Sequence, residues 1–163
     1  MQASTFRAAA LAFLPSVATM LFVQACGGSA AALAQDAADP MEGVWENTVT
    51  QRDCTTQAAL ASFRGLQVYH RGGTLTDTGG GPTATRSAGF GVWTRSGDTV
   101  TTKFRFFRYN ADGSPAGSSI VARTVTLGAD NKSVTGASQV TVLDTAGNTV
   151  AQGCSTDTGT RFQ

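Results

Sequence analysis

The chain has little to build a reactive centre from. Its 163 residues include one histidine, His70, and three cysteines, none in a CxxC or CxxH spacing. A cysteine-based metal site needs more ligands than these supply, so neither a metal nor any other cofactor is expected. Charged residues make up only 14% of the chain, and 12 Lys and Arg nearly balance 11 Asp and Glu. Without a basic excess there is no electrostatic footprint for nucleic acid. No GxSxG nucleophile motif occurs, and no carboxylates are spaced as a catalytic dyad. The glycine run Gly79 to Gly81 is followed by neither GK[ST] nor a helix start, so it reads as a loop and not as a phosphate cradle. The sequence offers no positive case for catalysis, and whether the protein is an enzyme is left open.

What is present begins with an export signal. One cation, Arg7, precedes an apolar stretch from Ala8 to Ala25 that Pro15 interrupts, and small residues then lead to Ala32-Leu33-Ala34. This is the pattern of a signal peptide spanning 1–34, which leaves a short linker at 35–41, a barrel domain at 42–163 and no membrane span. The rival reading takes "VQACGG" as a lipobox, with Cys26 as a lipid anchor. The expected location is the periplasm or the exterior on the first reading and the outer membrane on the second. Both leave Cys54 and Cys154 as an even pair in an oxidising compartment, and both predict a disulfide between them.

After Met41 the sequence is rich in Val, Thr, Phe and Gly and shows no apolar helical period, which predicts an all-β domain. Strands are expected near 43–53, 64–70, 73–79, 88–95, 98–109, 118–128, 132–144 and 148–162. Short connections alternate with longer ones, so in an up-and-down meander the long loops gather at one rim. Eight such strands close into an antiparallel barrel; the runner-up, a Greek-key sandwich, needs long connections at both ends. Closure pairs the first strand with the last. If Cys54 and Cys154 set the register, Asn47 faces Arg161 and Trp45 is the diagonal neighbour of Arg161, within reach of a cation–π contact. Alternation carried back from the Thr145 turn puts Arg161 on the wrong face, so a bulge is required, with Gly153 or Gly159 as the expected hosts.

The "GVW" of Gly43 to Trp45 and the "TRF" of Thr160 to Phe162, framing eight meandering strands, resemble the calycins, the superfamily of lipocalins, avidins and fatty-acid-binding proteins. In lipocalins a Gly-x-Trp on the first strand packs under an Arg at the end of the barrel. The resemblance implies that role for Trp45 and Arg161, and a cavity that takes a small apolar or amphipathic ligand.

The hairpin at Ser96-Gly97 is expected to set Trp93 opposite Val100 and Gly89 opposite Phe104, which makes Gly89, Gly91, Trp93, Val100, Thr102, Phe104 and Phe106 one inward face. Candidate ligand contacts are Trp93, Phe104, Phe106, Val140 and Val142. Gly89, Gly91, Gly136 and Ser138 predict a hollow between them. Arg123 shares its face with Val121, Val125 and Leu127, so it is either an anion anchor or one half of a structural pair with Asp144, Glu46 or another carboxylate. His70 adjoins a tight turn at the rim opposite the long loops, away from the expected mouth. Phe90, Phe107 and Tyr109 face outward. Three functions remain: a ligand-binding barrel, a protein-interaction or protease-inhibitor barrel without a ligand, and a barrel isomerase or cyclase. Fold alone does not choose among them.

Overall fold

The computed structural model describes residues 37–79 and 85–162. The expected signal segment, Cys26 included, and the glycines at 80 and 81 lie outside the described residues. Eight strands follow one another: β1 (Gly43–Arg52), β2 (Ala59–His70), β3 (Thr74–Gly79), β4 (Gly89–Ser96), β5 (Thr99–Tyr109), β6 (Pro115–Leu127), β7 (Ser133–Leu143) and β8 (Thr149–Arg161). Each pairs antiparallel with the next and β8 pairs with β1, closing an up-and-down barrel, although among the described residues the ladders stop at Gly65↔Gly79 and Phe90↔Arg105 and leave the far ends of β2 and β5 without a strand partner on the β3–β4 side. The strands form because β-branched and aromatic residues alternate with small polar ones. In β6, Ser119, Val121, Arg123, Val125 and Leu127 are all buried, while Ala122, Thr124 and Thr126 are exposed. The turns fit the same logic: Gly97 in the 97–98 hairpin and Asn131 in the 128–132 connection both take positive φ, which these two residue types tolerate best.

Two strands begin earlier than the sequence suggests. β2 starts at Ala59 and β6 at Pro115, so most of "AALASF" and of the segment before Ser118 is strand. The connections at the β1–β2 end, 53–58, 80–88, 110–114 and 144–148, are longer on average than those at the other end, 71–73, 97–98 and 128–132, but 110–114 and 144–148 only equal 128–132 in length.

The core occupies the short-turn end. Met41, Trp45, Tyr69, Leu75, Trp93, Val100, Phe104, Val125, Leu127 and Val134 form its buried cluster, which Val121 extends toward the other end. Met41 lies in the stretch assigned to the linker, yet it is fully buried and its carbonyl accepts a 2.9 Å hydrogen bond from the Trp45 indole Nε1. Asp39 binds Arg95 through both carboxylate oxygens, at 2.9 and 2.8 Å. The 39–42 segment thus plugs this end.

At the seam Trp45 stands directly opposite Arg161 and Arg52 opposite Cys154, two residues from the expected register. The reason is that Cys54 lies beyond the end of β1 and reaches Cys154 diagonally, with Cα atoms 5.2 Å apart in the disulfide. Arg161 lies over the Trp45 ring at 4.6 Å and donates to the carbonyls of Glu42 (2.7 Å), Asn131 (3.2 Å) and Pro40. The bulge is real but is hosted by neither glycine. The pairing shifts between Val142↔Ala151 and Leu143↔Thr149, which leaves Val150 as the extra residue at the start of β8. The β4–β5 register is also two residues from the expected one, with Trp93 opposite Thr102 and Gly91 opposite Phe104.

Candidate ligand-binding site

The inward side chains of the upper barrel surround an open bowl of about 980 Å³. Val49 on β1, Leu60 and Phe63 on β2, Phe106 on β5, Val121 on β6 and Val140 and Val142 on β7 give it an apolar wall. Beneath it lies a chamber of about 70 Å³ lined by Asn47, Gln67, Asp77, Phe104, Arg123, Ser138 and Asp157, among others. Bowl and chamber share Val49, Phe63, Arg86, Val121, Val140 and Ser155. The chamber has room for a few waters. It is far below the roughly 300 Å³ of an ordinary ligand pocket, whereas the bowl exceeds that size.

The expected hollow beside the glycines is therefore not where the space lies. A Cβ on Gly91 would sit 2.5 Å from the Phe104 Cα and Cβ atoms, one on Gly136 would sit 2.9 Å from Asp157 Oδ1, and one on Gly159 would sit 2.0 Å from Asn47 Oδ1. These glycines admit Phe104, Asp157 and Asn47 into the barrel; their neighbours fill the room they leave.

The chamber is polar because its charges are paired. Arg123 donates Nε to Asp157 Oδ1 at 2.9 Å, Nη2 to Asp157 Oδ2, and Nη1 to Gln67 Oε1 and to the Tyr69 hydroxyl (3.0 Å). Gln67 in turn donates to Asp77 Oδ2 at 3.2 Å and accepts from Tyr69 at 3.1 Å and Asn47 at 3.3 Å. Burial is the largest influence on Tyr69 and pushes its phenol above the ordinary value, against the nearby guanidinium. Burial is also the largest influence on Arg123 and opposes its charge, but the Tyr69 oxygen and the Asp157 carboxylate outweigh it, and the net direction is upward. Among the described residues two buried polar atoms, Asn47 Oδ1 and Thr102 Oγ1, have no hydrogen-bond partner.

A second cation closes the top of the chamber. Arg86, from the β3–β4 connection, binds Asp77 Oδ1, donates Nε to the Ser87 carbonyl at 3.2 Å and lies over the Phe106 ring at 3.9 Å. Arg123, Asp157, Arg86 and Asp77 together carry no net charge. The mouth differs. Arg108 lines the bowl above Phe106 and has no ion-pair partner among the described residues. Arg52, also at the mouth, is occupied by Thr156 Oγ1 (2.7 Å) and the Gln57 carbonyl (2.9 Å). Asp53 accepts from the Thr55 and Thr56 backbone N–H groups at 2.9 and 2.7 Å, which hold its carboxyl below the usual aspartate range.

The residues singled out from sequence divide between these regions. Phe106, Val140 and Val142 line the bowl, while Phe104 and Arg123 line the chamber. Arg123 is a structural pair member, and its carboxylate is Asp157, not Asp144 or Glu46. Trp93 sits in the solid end, its indole donating to the His70 carbonyl at 3.1 Å and meeting Tyr69 edge-on at 5.6 Å. His70 is exposed there and bonds Thr76 Oγ1 at 3.0 Å. Sequence reasoning missed Phe63, Arg86 and Arg108. Arg108 was within reach, because it continues the Phe104–Phe106 alternation by one step. Arg86 lies in a loop with no period to expose it.

Among the described residues, no group of three His, Cys, Asp or Glu is placed to hold a metal ion, and no helix is long and apolar enough to cross a membrane. Comparison of the sequence with models of known protein families and with curated proteins finds no match. The class rests on the fold: an all-β, closed eight-stranded antiparallel up-and-down barrel, joined at its seam by a disulfide.

Proposed function

We propose that this is an exported, calycin-like barrel that binds a small amphipathic ligand in its bowl, with an apolar body against Phe106, Val140 and Val142 and an acidic head at Arg108. The observation that carries this reading is the bowl itself: about 980 Å³, with an apolar side of Val49, Phe63, Phe106, Val140 and Val142 and, at its mouth, Arg108, which has no ion-pair partner among the described residues. The Trp45–Arg161 stack supports the calycin assignment, and the signal pattern together with an oxidised cysteine pair supports export. Arg123 is spent on Asp157 and serves the scaffold.

Native mass spectrometry of protein purified from its own host is the first test, with a retained small molecule as the expected result. The second is displacement of 1-anilinonaphthalene-8-sulfonate by a panel of aliphatic and aromatic acids. Val142→Trp, which narrows the bowl at a residue that lines neither the chamber nor the buried core, should weaken binding at least about tenfold at unchanged Tm. Arg108→Gln should weaken an acid while leaving the alcohol of equal length unaffected. A panel with no displacement and no retained mass overturns the ligand reading and moves the function to the loops, as a protein-interaction barrel.

A further inference from the structure

The outside of the barrel is uneven. Leu66, Phe90, Val92 and Phe107 are among its exposed large apolar residues, Phe90 at 66% and Phe107 at 58% exposure; Phe90 and Val92 lie on β4, Phe107 on the neighbouring β5, and Leu66 on β2, across β3 from them. Phe90 stands between Thr76 and Arg105, and Val92 between Thr74 and Lys103. Phe107 follows Arg105 on the same face, and Leu66 is opposite Thr78. Alternation places only Thr, Ser, Phe, Val, Lys, Arg and Tyr at the outward positions of β3, β4 and β5, with no carboxylate; the acid beside Leu66 is Glu46 of β1, which is paired with Arg64. Among the described residues Lys103 and Arg105 have no ion-pair partner.

We infer that this face docks on an anionic lipid surface, with Phe90, Val92 and Phe107 entering the headgroup boundary and Lys103 and Arg105 meeting lipid phosphates. Apolar tips flanked by unpaired cations complement a surface that is apolar below and negative above. A second copy of the chain fits less well. A two-fold contact through this face brings Lys103 and Arg105 of both copies into one apolar patch with no carboxylate to receive them, and like charges at an interface oppose association. The barrel would then lie on its side, which leaves the bowl free to load and unload.

The test uses the full chain carrying Phe90→Trp. Trp45 and Trp93 are buried, so the added indole is the exposed reporter, and it reads this face even if residues 1–36 tether the chain elsewhere. With vesicles of phosphatidylglycerol and phosphatidylcholine, its emission should shift to the blue and be quenched by brominated acyl chains, and both effects should fade with salt. Phosphatidylcholine alone should give neither. Adding Lys103→Gln and Arg105→Gln should cut partitioning at least about tenfold, the loss expected for two cations at an anionic surface. Unchanged emission at saturating anionic lipid overturns the inference, as does equal response to both vesicle types. A blue shift that grows with protein concentration without lipid assigns the face to a second copy and overturns it as well.

Discussion

Removing Asp157 separates two accounts of the chamber. The Arg123 and Asp157 side chains are 4% and 1% exposed, so Asp157→Ala strands a guanidinium where water does not reach it freely. Gln67 and Tyr69 still accept from Nη1, but Nε and Nη2 lose their partner. Breaking a buried pair from one side costs about 3–5 kcal/mol, a large share of the roughly 5–15 kcal/mol that holds a domain together. Replacing both partners is different. In Arg123→Met/Asp157→Val no charge is left unpaired, and Gln67 Oε1 still accepts from Tyr69 and Asn47. Such replacements are commonly neutral or stabilising, so the double variant should recover more than half of the single variant's loss. Urea unfolding followed by the buried Trp45 and Trp93 measures both, and the single variant should melt about 10–20 °C lower. If Asp157→Ala lies within about 1 kcal/mol of the parent, or the double variant is no better than the single, the pair does not hold the chamber in the way its geometry requires.

Trp45→Ala should cost about 3–5 kcal/mol and Arg161→Ala less. A double-mutant cycle should find coupling between them, since the guanidinium lies over the ring; zero coupling would remove the support that the stack gives to the calycin assignment. The thiols of Cys54 and Cys154 should resist alkylation until reduced, and replacing both with alanine should lower stability by about 4–5 kcal/mol on the chain-entropy model for a bridge of sequence separation 100. Asp53, Asp112, Asp130 and Asp144 all have carboxyls depressed by turn hydrogen bonds, backbone N–H groups leading at Asp53, Asp130 and Asp144 and the Ser114 side chain at Asp112. Because a depressed folded value stabilises above the unfolded one, their contribution should be complete above the ordinary aspartate value of 3.8 and be lost as the pH falls through their folded values; a chemical-denaturation series across that range should show stability falling toward acid.

Faces were easier to read from the sequence than registers. Alternation placed Phe104, Phe106, Arg123, Val140 and Val142 inside the barrel, and closure brought Trp45 to Arg161. Both register errors, at the seam and in the β4–β5 hairpin, were shifts of two residues, and an even shift moves a residue along its strand without turning it to the other face. That is why Trp45 and Arg161 still meet. What stayed hidden was decided across the barrel. "ALASF" has no alternation to mark it, and becomes strand because Ala61 pairs with Gln51 and Phe63 with Val49. The bulge at Val150 has no glycine to announce it. Depth, by contrast, was legible from the turns: Trp93 lies three residues before the end of β4 at the short-turn rim and Phe106 three residues before the end of β5 at the other rim, yet both are grouped as ligand contacts on face alone.

The seam also sets the order of assembly. Every pairing from β1–β2 to β7–β8 joins neighbours in the chain and can form while later strands are still unfolded. The β1–β8 pairing joins the two extremes of the domain, so from the unfolded chain it closes the longest loop and is expected to form last. Until Arg161 reaches Trp45 and Cys154 reaches Cys54, an otherwise complete sheet has two open edges, each able to pair with another chain. The interval before closure is when the protein is most exposed to aggregation, and oxidation of a cysteine pair located at that seam converts a slow, reversible closing into a permanent one.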